Sequence, residues 1–388
     1  MEFLKLIEDV KLEEANIHKI FNKDDGRPVR RGIKSPEYMA KLSEAVELIG
    51  QILNGKRPMY HFQEVMTTSD FPLLFADVLD RQLLAGYREA PATYKAYCRI
   101  STVRDFRQVS RHYVDGGDGR LDAVAEKEEY KYASLSEGKY NYSVKKYGRK
   151  FDFSWETLVN DDLGAFNDAP LRLGRAARRT EEYFATTLFV GASGPLATFY
   201  KAANKNIVTA NPVLSVEALQ TAMAILGAQT DAAGEPIFMG NLTLVVPPAL
   251  EIVAQNILNA IEILAKTSGG GTAAQEIKVL NWMKNRIKLV VNAYIPIVAS
   301  TANGATSWFL FADPANSRGS LEVGFLRGYT EPQVFMKSSN QTAVGGGGLI
   351  DPLQGDFDSD NIEYKVRHVT GGCRLDPKLT CASNGSGS

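Results

Sequence analysis

The sequence contains little cysteine and little histidine. Its 388 residues include three cysteines, Cys98, Cys373 and Cys381, which show no Cys-x-x-Cys spacing. Neither a disulfide framework nor a thiolate zinc site is therefore indicated. The four histidines form no His-x-His or His-x-x-x-His pair, so a histidine metal site would need distant segments to converge. We accordingly expect no cofactor and no metal, and stability that comes from packing and assembly.

The chain also lacks a charge excess and a long apolar run. Lys and Arg total 44 against 45 Asp and Glu, which excludes the overall basic excess of a protein built to coat nucleic acid. The apolar stretches 242–254 and 287–299 are interrupted by proline and charge, and fall short of the roughly 18 residues of a membrane helix. Residues 1–9 do not resemble a secretory signal. We expect a protein of the cytoplasm with no membrane partner.

Motifs of common enzymes are absent or weak. The glycines at 269–271 are followed by Thr-Ala-Ala and lack the lysine of a phosphate-binding loop, so they predict a plain loop. The run Gly-Ala-Ser-Gly at 191–194 lacks the spacing of a nucleophile elbow. Residues 356–360 read Asp-x-Asp-x-Asp, but Asn361 and Arg367 replace the glycine and glutamate of a calcium loop. A solvated turn is the favoured interpretation there. The sequence predicts no catalytic residues.

The N-terminal part of the chain is predicted to be helical. Apolar residues recur at helical spacing over the first sixty residues, and Ser35-Pro36-Glu37 is typical of a helix start. A further short helix over 72–87 mixes Leu74, Val78 and Leu84 with acidic and small residues. We expect that helix to lie on a surface, as part of an arm.

Residues 127–148 predict a long and unusually polar hairpin. Two strands, 127–135 and 139–148, flank a Ser-Glu-Gly turn at 136–138, with tyrosines in period-two pairs. Neither face is convincingly apolar, and an isolated two-stranded hairpin is marginally stable in water. The hairpin is therefore expected to rest on something outside its own domain. The conspicuous lysines and tyrosines are Lys127, Tyr130, Lys131, Tyr132, Lys139, Tyr140 and Tyr142.

Three functions remain open for this hairpin: a nucleic-acid-binding ribbon, a clasp between subunits, and an ordinary exposed hairpin. The nearby acids at 126, 128, 129 and 137 would repel phosphate. They suit a partner surface that carries both signs of charge, so the clasp is favoured.

A long helix follows the hairpin. Asp168 is predicted to cap a helix over 170–189, with Arg172, Arg175 and Arg179 along one side. This basic stripe could contact phosphates, but Glu181 and Glu182 lie within one turn of it. A solvated helix face is the more common reading of such a stripe.

The rest of the chain predicts an α+β unit. Helices are expected at 215–229 and 249–265, and strands at 242–246, 287–291, 308–312, 321–325 and 333–336. A glycine run at 345–348 leads to a last strand at 362–369 and a polar tail.

The order of several short runs resembles the major capsid proteins of tailed bacteriophages, which have the Hong Kong 97-type fold, over about residues 68–378. The runs are Asp105-Phe106-Arg107, Glu129-Tyr130, Lys146-Tyr147-Gly148-Arg149, residues 151–162 ending in Val-Asn-Asp-Asp, the long helix, and Val245-Val246-Pro247-Pro248. Residues 1–66 have no clear match in that family.

The resemblance implies an α+β fold with an N-terminal arm, an E-loop hairpin, a peripheral domain with a long spine helix, and an axial domain. The corresponding segments are 1–94 (helical extension and N-terminal arm), 95–120 (first part of the peripheral domain), 121–153 (E-loop), 154–211 (peripheral domain with spine helix), 212–338 (axial domain) and 339–388 (return strand and tail). The lysines and tyrosines of the hairpin would contact a neighbouring subunit. The stripe of Arg172, Arg175 and Arg179 would lie on the spine helix.

The function implied is that of a structural protein whose copies form pentamers and hexamers of an icosahedral shell around double-stranded DNA. Such a protein is no enzyme, is assembled in the bacterial host cytoplasm and resides in the virion capsid. The implied partners are further copies of the chain, a portal protein, and DNA bound without sequence specificity, with scaffold or decoration proteins as optional additions. The alternatives are an encapsulin-type compartment around protein cargo, a two-domain cytoplasmic enzyme, and a basic-ribbon nucleic-acid binder.

Overall fold

The computed structural model describes residues 71–115, 124, 126, 136–154, 156, 163–231, 234–267, 275–315, 319–340 and 356–387. Within these residues the helices are α1 (Phe71–Glu89), α2 (Leu163–Thr187), α3 (Val216–Gly227), α4 (Glu251–Asn259) and α5 (Ile295–Val298). The strands are β1 (Arg99–Val103), β2 (Val109–Asp115), β3 (Ser136–Tyr142), β4 (Val144–Ser154), β5 (Val190–Gly191), β6 (Gly194–Pro195), β7 (Leu242–Val246), β8 (Glu262–Thr267), β9 (Gln275–Leu280), β10 (Ile287–Val291), β11 (Trp308–Ala312), β12 (Leu321–Leu326), β13 (Gln333–Met336), β14 (Asn361–Arg374) and β15 (Thr380–Ser383).

The chain divides into two compact units. The first unit draws on the residues up to Ala90, on Lys146–Arg178 and on Gly328–Val369. The second unit draws on Pro91–Lys145, Arg179–Arg327 and Thr370–Ser388. Each unit is therefore assembled from segments that are far apart in the sequence.

In the first unit, α1 packs closely against α2 at two glycines. A side chain at Gly86 would meet the backbone of Leu171, and one at Gly174 would meet the backbone of Leu83. Leu83 and Tyr87 are buried here, and the guanidinium of Arg178 lies 3.8 Å from the centre of the Tyr87 ring. The prediction that this helix lies on a surface is thus wrong for its C-terminal half, because the glycines bring two backbones together over its apolar side.

The start of α2 also differs from the prediction. The helix begins at Leu163, so Asp168 lies inside it and does not cap it, and Pro170 occupies an interior position. Proline removes one helix hydrogen bond and crowds the preceding turn, a cost that neighbouring turns can outweigh. The proline was therefore a misleading marker of the helix start.

The strands of the first unit meet at β14. β13 runs antiparallel to it, with Val334 opposite Val366. β4 pairs with it too, and Gly148 lies against the carbonyl of Val366. Just before β14, an Asp356 carboxylate oxygen accepts hydrogen bonds from the backbone N–H of Ser359 and Asn361, which confirms the predicted turn.

The second unit is built around a four-stranded sheet with the order β10-β7-β11-β15. β10 and β7 are parallel, whereas β11 runs antiparallel to both β7 and β15. Alternate residues point to two separate cores: Leu244 and Leu310 pack with α3 and α4, and Val245 and Phe311 pack with the aromatic cluster around Phe189. Because both faces are covered, these strands read as continuous apolar runs. Ser215 caps α3 by accepting a hydrogen bond from the N–H of Ala218.

Two predictions for this unit are wrong. Helix α4 ends at Asn259 instead of near residue 265, and residues 262–267 form β8, which pairs antiparallel with β9. Residues 262–267 read Glu-Ile-Leu-Ala-Lys-Thr, whose glutamate, leucine, alanine and lysine favour a helix, so the strand is decided by its pairing with β9. The polar tail contains β15, which lies fully buried at the edge of the central sheet.

The second unit also holds a two-stranded ribbon. β2 pairs antiparallel with β3 from Val109 opposite Tyr142 to Asp115 opposite Ser136. The predicted turn at 136–138 is therefore wrong, since these residues lie within β3. The predicted partner strand 127–135 lies outside the described residues. In the same unit, β1 runs parallel to β12, and β12 runs antiparallel to residues 370–374 of β14.

Candidate functional site

A buried polar cluster ties the base of the ribbon to the neighbouring sheet. One carboxylate oxygen of Glu322, Oε1, lies 2.6 Å from the Ser101 hydroxyl, 2.7 Å from the Tyr142 hydroxyl and 2.8 Å from Nε of Arg111. These donors come from β1, β3 and β2, and the acceptor comes from β12. We refer to these four residues as the Glu322 cluster.

The Glu322 cluster is organised around an ionised carboxylate. The Glu322 side chain is 2% exposed, whereas that of Arg111 is 37% exposed. Burial by itself would raise the pKa of Glu322. The hydrogen bonds from Ser101, Tyr142 and Arg111, with the charge of Arg111, outweigh it and hold the pKa below its ordinary value. Conversely, burial first and then the nearby carboxylate raise the pKa of Tyr142 to about 12, so its hydroxyl stays protonated.

The two hydroxyls of the cluster have fewer hydrogens than contacts. Ser101 and Tyr142 lie 2.8 Å apart, and each lies within hydrogen-bonding distance of Glu322 Oε1. A hydroxyl has one hydrogen to donate, so two hydrogens serve three contacts. Hydrogen bonds to an ionised acceptor are the stronger kind, which favours both hydroxyls donating to the carboxylate.

Gly324 on β12 leaves room for the Tyr142 ring. Residues 322 and 324 lie two apart on a strand and thus share a face. A Cβ added at Gly324 would lie 2.5 Å from the Tyr142 hydroxyl oxygen and 2.7 Å from Cε2. The glycine therefore leaves the space that the tyrosine ring occupies above β12.

The face of the ribbon opposite Arg111 and Tyr142 is polar. Ser110 and Asn141 form a cross-strand pair whose side chains hydrogen-bond at 2.8 Å, and His112 and Lys139 form the next pair. All four side chains are exposed. The ribbon thus has a buried anchor on one face and a solvated surface on the other.

The structure separates the predicted hairpin residues into three groups. Lys139 is exposed and Tyr140 is half-buried on β3. Tyr142 is 5% exposed and belongs to the Glu322 cluster, which leaves its side chain little surface for a neighbouring molecule. The remaining four, Lys127, Tyr130, Lys131 and Tyr132, lie outside the described residues.

The predicted arginine stripe lies on α2. Arg172 and Arg179 are exposed, and Arg175 is partly exposed. In the first unit, Arg175 forms an ion pair with Glu89 at 2.7 Å. That pair links two helices of one chain, which sequence spacing alone could not indicate.

The acids near this stripe bind a different segment. In the second unit, Glu182 accepts hydrogen bonds from the backbone N–H and the hydroxyl of Thr93, and Glu181 accepts one from the Tyr94 hydroxyl at 2.9 Å. Burial raises the pKa of Glu182, although the bonds from Thr93 oppose that shift. These carboxylates hold the 3-10 turn Thr93–Ala96 in place.

The second unit exposes several large apolar side chains. Ile252 on α4 is 72% exposed, Ile261 is 77% exposed, and Leu280 on β9 is 75% exposed. Ile261 and Leu280 lie at the base of the β8–β9 pair, where the backbone N–H of Asn281 donates to the carbonyl of Ile261. Apolar side chains that cluster on a surface mark sites of association more often than single ones do.

Within the described residues, no group of three or more His, Cys, Asp or Glu side chains could hold a metal ion. Among the helices described, none combines the length and the apolar character needed to cross a membrane.

Sequence reasoning missed Glu322, Arg111 and Ser101. A signal was present, since Glu322 interrupts the apolar run Leu-Glu-Val-Gly-Phe-Leu of a buried strand. A buried carboxylate needs a partner, so it predicts a nearby cation or several donors. The sequence does not reveal that these donors come from residues more than 170 positions away.

A subunit with an anchored ribbon, two apolar cores and exposed apolar side chains has the features of a protein that associates with other molecules. Residues 138–380, more than half of the chain, match the model of a family described as "Phage capsid protein". The chain belongs to this family. It is a structural protein of the virion capsid and has the α+β Hong Kong 97-type fold of tailed-phage major capsid proteins. The resemblance stated from the sequence is confirmed.

Several solved structures are similar to the chain. A virus-like particle from Pyrococcus furiosus is 13% identical, with 80% of this chain and 99% of that one covered and a TM-score of 0.41. Gordonia phage Cozz gives 14% identity, coverage of 75% and 85%, and a TM-score of 0.42. The holo-SrpI encapsulin complex from Synechococcus elongatus PCC 7942 gives 13%, 74% and 85%, and 0.43. No curated protein matches the sequence.

Proposed function

We propose that this chain is the major subunit of an icosahedral phage head, in which its copies form pentamers and hexamers around double-stranded DNA. Family membership supports the shell, and the observation that carries the subunit's role is the β2–β3 ribbon. Its base is held in the second unit by the Glu322 cluster, while its opposite face is polar and exposed. A ribbon of this kind gains stability from a second surface.

In this proposal the ribbon is the E-loop, and it lies on a neighbouring copy of the chain. Lys139 and Tyr140 are the contact residues on β3, with Lys127, Tyr130, Lys131 and Tyr132 in the segment that follows β2. Tyr142 anchors the ribbon in its own subunit. Lysine and tyrosine both combine an apolar body with a polar end, which suits the rim of an interface between soluble subunits.

The structure suggests a sharp test of the ribbon's role. Asp115 and Ser136 are directly paired, so residues 116–135 can be replaced by a two-residue Asn-Gly turn that closes β2 on β3. The shortened chain is expected to fold, because the Glu322 cluster and both cores are kept, but to give no closed shells. Sedimentation velocity and electron micrographs of the assembly products provide the measurement. Closed shells of normal size and yield would refute the ribbon's role.

The contents of the shell distinguish the head from its main alternative. We expect DNA to be enclosed without sequence specificity. Because the chain's net charge is −1, we also expect no strongly basic lining supplied by the chain as a whole. A portal protein, and scaffold or decoration proteins, complete the proposed set of partners, and assembly takes place in the host cytoplasm. Particles purified from that host should contain nuclease-protected DNA. Protein cargo without DNA would instead support an encapsulin-type compartment.

The arginine stripe of α2 is proposed to contribute to subunit contacts or to lie near the DNA. Arg172 and Arg179 are exposed, so their replacement should remove little buried packing from the subunit. The double variant Arg172→Glu/Arg179→Glu is expected to reduce shell yield or DNA content, whereas Arg175→Glu would also disturb the pair with Glu89. Normal assembly and packaging by the double variant would remove the stripe from the proposal.

A further inference from the structure

We propose that Glu322 is the positioning residue that sets the direction in which the β2–β3 ribbon leaves its subunit. This inference rests on the proposed role of the ribbon in contacting a neighbouring copy. One buried carboxylate would then determine the orientation of the ribbon's contact surface, although it is not part of that surface.

Glu322 is the point at which the separate strands of the ribbon base meet. Its Oε1 atom accepts hydrogen bonds from Arg111 on β2 and from Tyr142 on β3, so one side chain from each strand of the ribbon binds to the same atom. Val109 and Tyr142 form the innermost register pair, and Arg111 lies in the next pair on the same face, opposite Tyr140. Ser101 of β1 donates to the same oxygen. A ribbon held by both strands cannot rotate about either one alone.

The position of Glu322 is itself fixed by its neighbours. β12 is paired along its length, with β1 on one side and residues 370–374 of β14 on the other. A Cβ at Gly372 would overlap the Glu322 carbonyl, so the two backbones are in close contact. The carboxylate therefore projects from a strand that has little freedom to move, and it can serve as a reference point for the ribbon.

A small change at the base would be magnified along the ribbon. Six steps of about 3.3 Å separate the ends of β2, so the described ribbon is roughly 20 Å long, and a tilt of about 10° would move its far end by about 3 Å. Interfaces between proteins are packed as densely as protein interiors, so a displacement of this size would remove many contacts. Loss of the Glu322 cluster should thus lower assembly without altering any residue of the contact surface.

The pairing of Arg111 with Glu322 also explains why the anchor needs a charge. Glutamine at 322 keeps an oxygen acceptor but loses the negative charge that holds the guanidinium and both hydroxyls. Its amide group would also place hydrogen-bond donors where donors already converge. Of the conservative changes available, Glu322→Gln therefore alters this anchor most while changing side-chain volume least.

The test compares Glu322→Gln with Tyr142→Phe. The second variant keeps the ring above Gly324 and removes one of the donors, so it should fold even where the first does not. Hydrogen exchange of unassembled subunits would be measured in peptides covering 109–115 and 136–142, with β7 and β11 peptides as an internal reference. Glu262→Gln on β8 is the matched control for the loss of one charge, and Tyr183→Phe is the control for the loss of one hydroxyl; both side chains are exposed.

We expect ribbon amides to exchange about tenfold faster or more in Glu322→Gln and severalfold faster in Tyr142→Phe, with unchanged β7 and β11 protection, since hydrogen bonds to charged groups are the strong ones. Shell yield should fall in the same order, and the two controls should exchange like the wild type. Unchanged ribbon exchange in Tyr142→Phe and in a folded Glu322→Gln would overturn the proposal. Faster exchange with normal shell yield would overturn it too.

Failure of this inference and failure of the proposed function are distinguishable. If the chain shortened between Asp115 and Ser136 still forms shells, the ribbon is not the contact and the proposed function fails at that point. If the shortened chain does not assemble but Glu322→Gln does, the ribbon is the contact and Glu322 does not position it.

Discussion

Replacing Gly174 by alanine is expected to destabilise the first compact unit. Gly174 lies on α2 where that helix crosses α1, and its α-carbon faces backbone atoms. A methyl group there would lie 2.8 Å from the Tyr87 nitrogen and 3.0 Å from the Leu83 carbonyl carbon, and would overlap the Leu83 oxygen. These are atoms of a helix backbone, so no side-chain rotation can relieve the overlap, and the two helices must separate.

The magnitude follows from two opposing contributions. Inserting a carbon into a closely packed contact costs typically about 1–3 kcal/mol, and more where backbone must move. Alanine in place of glycine inside a helix regains about 1 kcal/mol. Separation of the helices also loosens Leu83 and Tyr87, which are buried. We therefore expect a net loss of about 2 kcal/mol or more in the free energy of unfolding, by the large-insertion end of that range.

The assay needs a control in which only the helix propensity changes. Gly227 ends α3, has nothing within 4 Å of an added Cβ, and does not have a positive φ. Gly227→Ala should therefore leave stability unchanged or raise it by up to about 1 kcal/mol. Denaturant unfolding of unassembled subunits by circular dichroism, with hydrogen exchange of α1 and α2 peptides, would compare the two variants. Gly174→Ala as stable as Gly227→Ala would refute the close helix contact.

A double variant adds a second check. Gly86 lies on the opposite side of the same crossing, where a Cβ would overlap the Leu171 carbonyl oxygen and lie 2.9 Å from the carbonyl carbon. Once one methyl group has separated the helices, the second has less to displace. Gly86→Ala and Gly174→Ala together should thus cost less than the sum of the two single changes, as expected for sites that share one contact.

Three other outcomes are expected. The pKa of Glu322 is lowered in the folded chain, so its hydrogen bonds stabilise above its unfolded pKa of about 4.3. That stability is lost as pH falls through the folded pKa, so the free energies of unfolding of wild type and Glu322→Gln should converge at acid pH. A difference between the two free energies that stays constant with pH would contradict this. Burial raises the pKa of Cys381 to about 12 and that of Cys98 well above its usual range. Both thiols should therefore resist labelling by a maleimide at pH about 8 until the chain unfolds, and rapid labelling of the folded chain would argue against their burial. Arg175→Ala should cost about 1 kcal/mol or less, because its pair with Glu89 is exposed; a loss several times larger would show another role.

The central strands could be predicted from the sequence because each is a short apolar run between breakers. Leu242–Val246 and Trp308–Ala312 lie at the residues that the sequence predicts. In these segments the local pattern and the tertiary environment agree, since both faces of the strands are covered. Agreement of this kind is what makes a local signal reliable.

Other elements depend on partners that are distant in the sequence. Ser136-Glu137-Gly138 has the composition of a turn, but β2 supplies a strand with which it pairs. Likewise, β15 is a short run of Thr-Cys-Ala-Ser that only its place beside β11 makes a buried strand. A local pattern cannot reveal these pairings, because what decides them is the register with another segment.

The candidate site shows the same division. Tyr142 was singled out as one of several tyrosines on a hairpin, yet its buried hydroxyl distinguishes it from Tyr140, two residues earlier on the same face. Glu322 alone could have suggested a buried pair. Identifying Arg111 and Ser101 as its partners required the fold, because side chains from three other strands, β1, β2 and β3, converge on one oxygen.

The order of strands in the central sheet has a consequence for folding kinetics. β11 pairs with β15 only after the chain has closed a loop made of residues 313–379, which lie between the two strands. Pairings across long stretches of chain form slowly, because the entropy of closing the loop is lost before any contact is gained. Until β15 arrives, the edge of β11, with its run Trp-Phe-Leu-Phe-Ala, is open to any strand that passes. Pairing of β11 with its own β15 thus competes with pairing to strands of other chains. The yield of correctly folded subunit should fall when the concentration of unfinished chains in the cell is high.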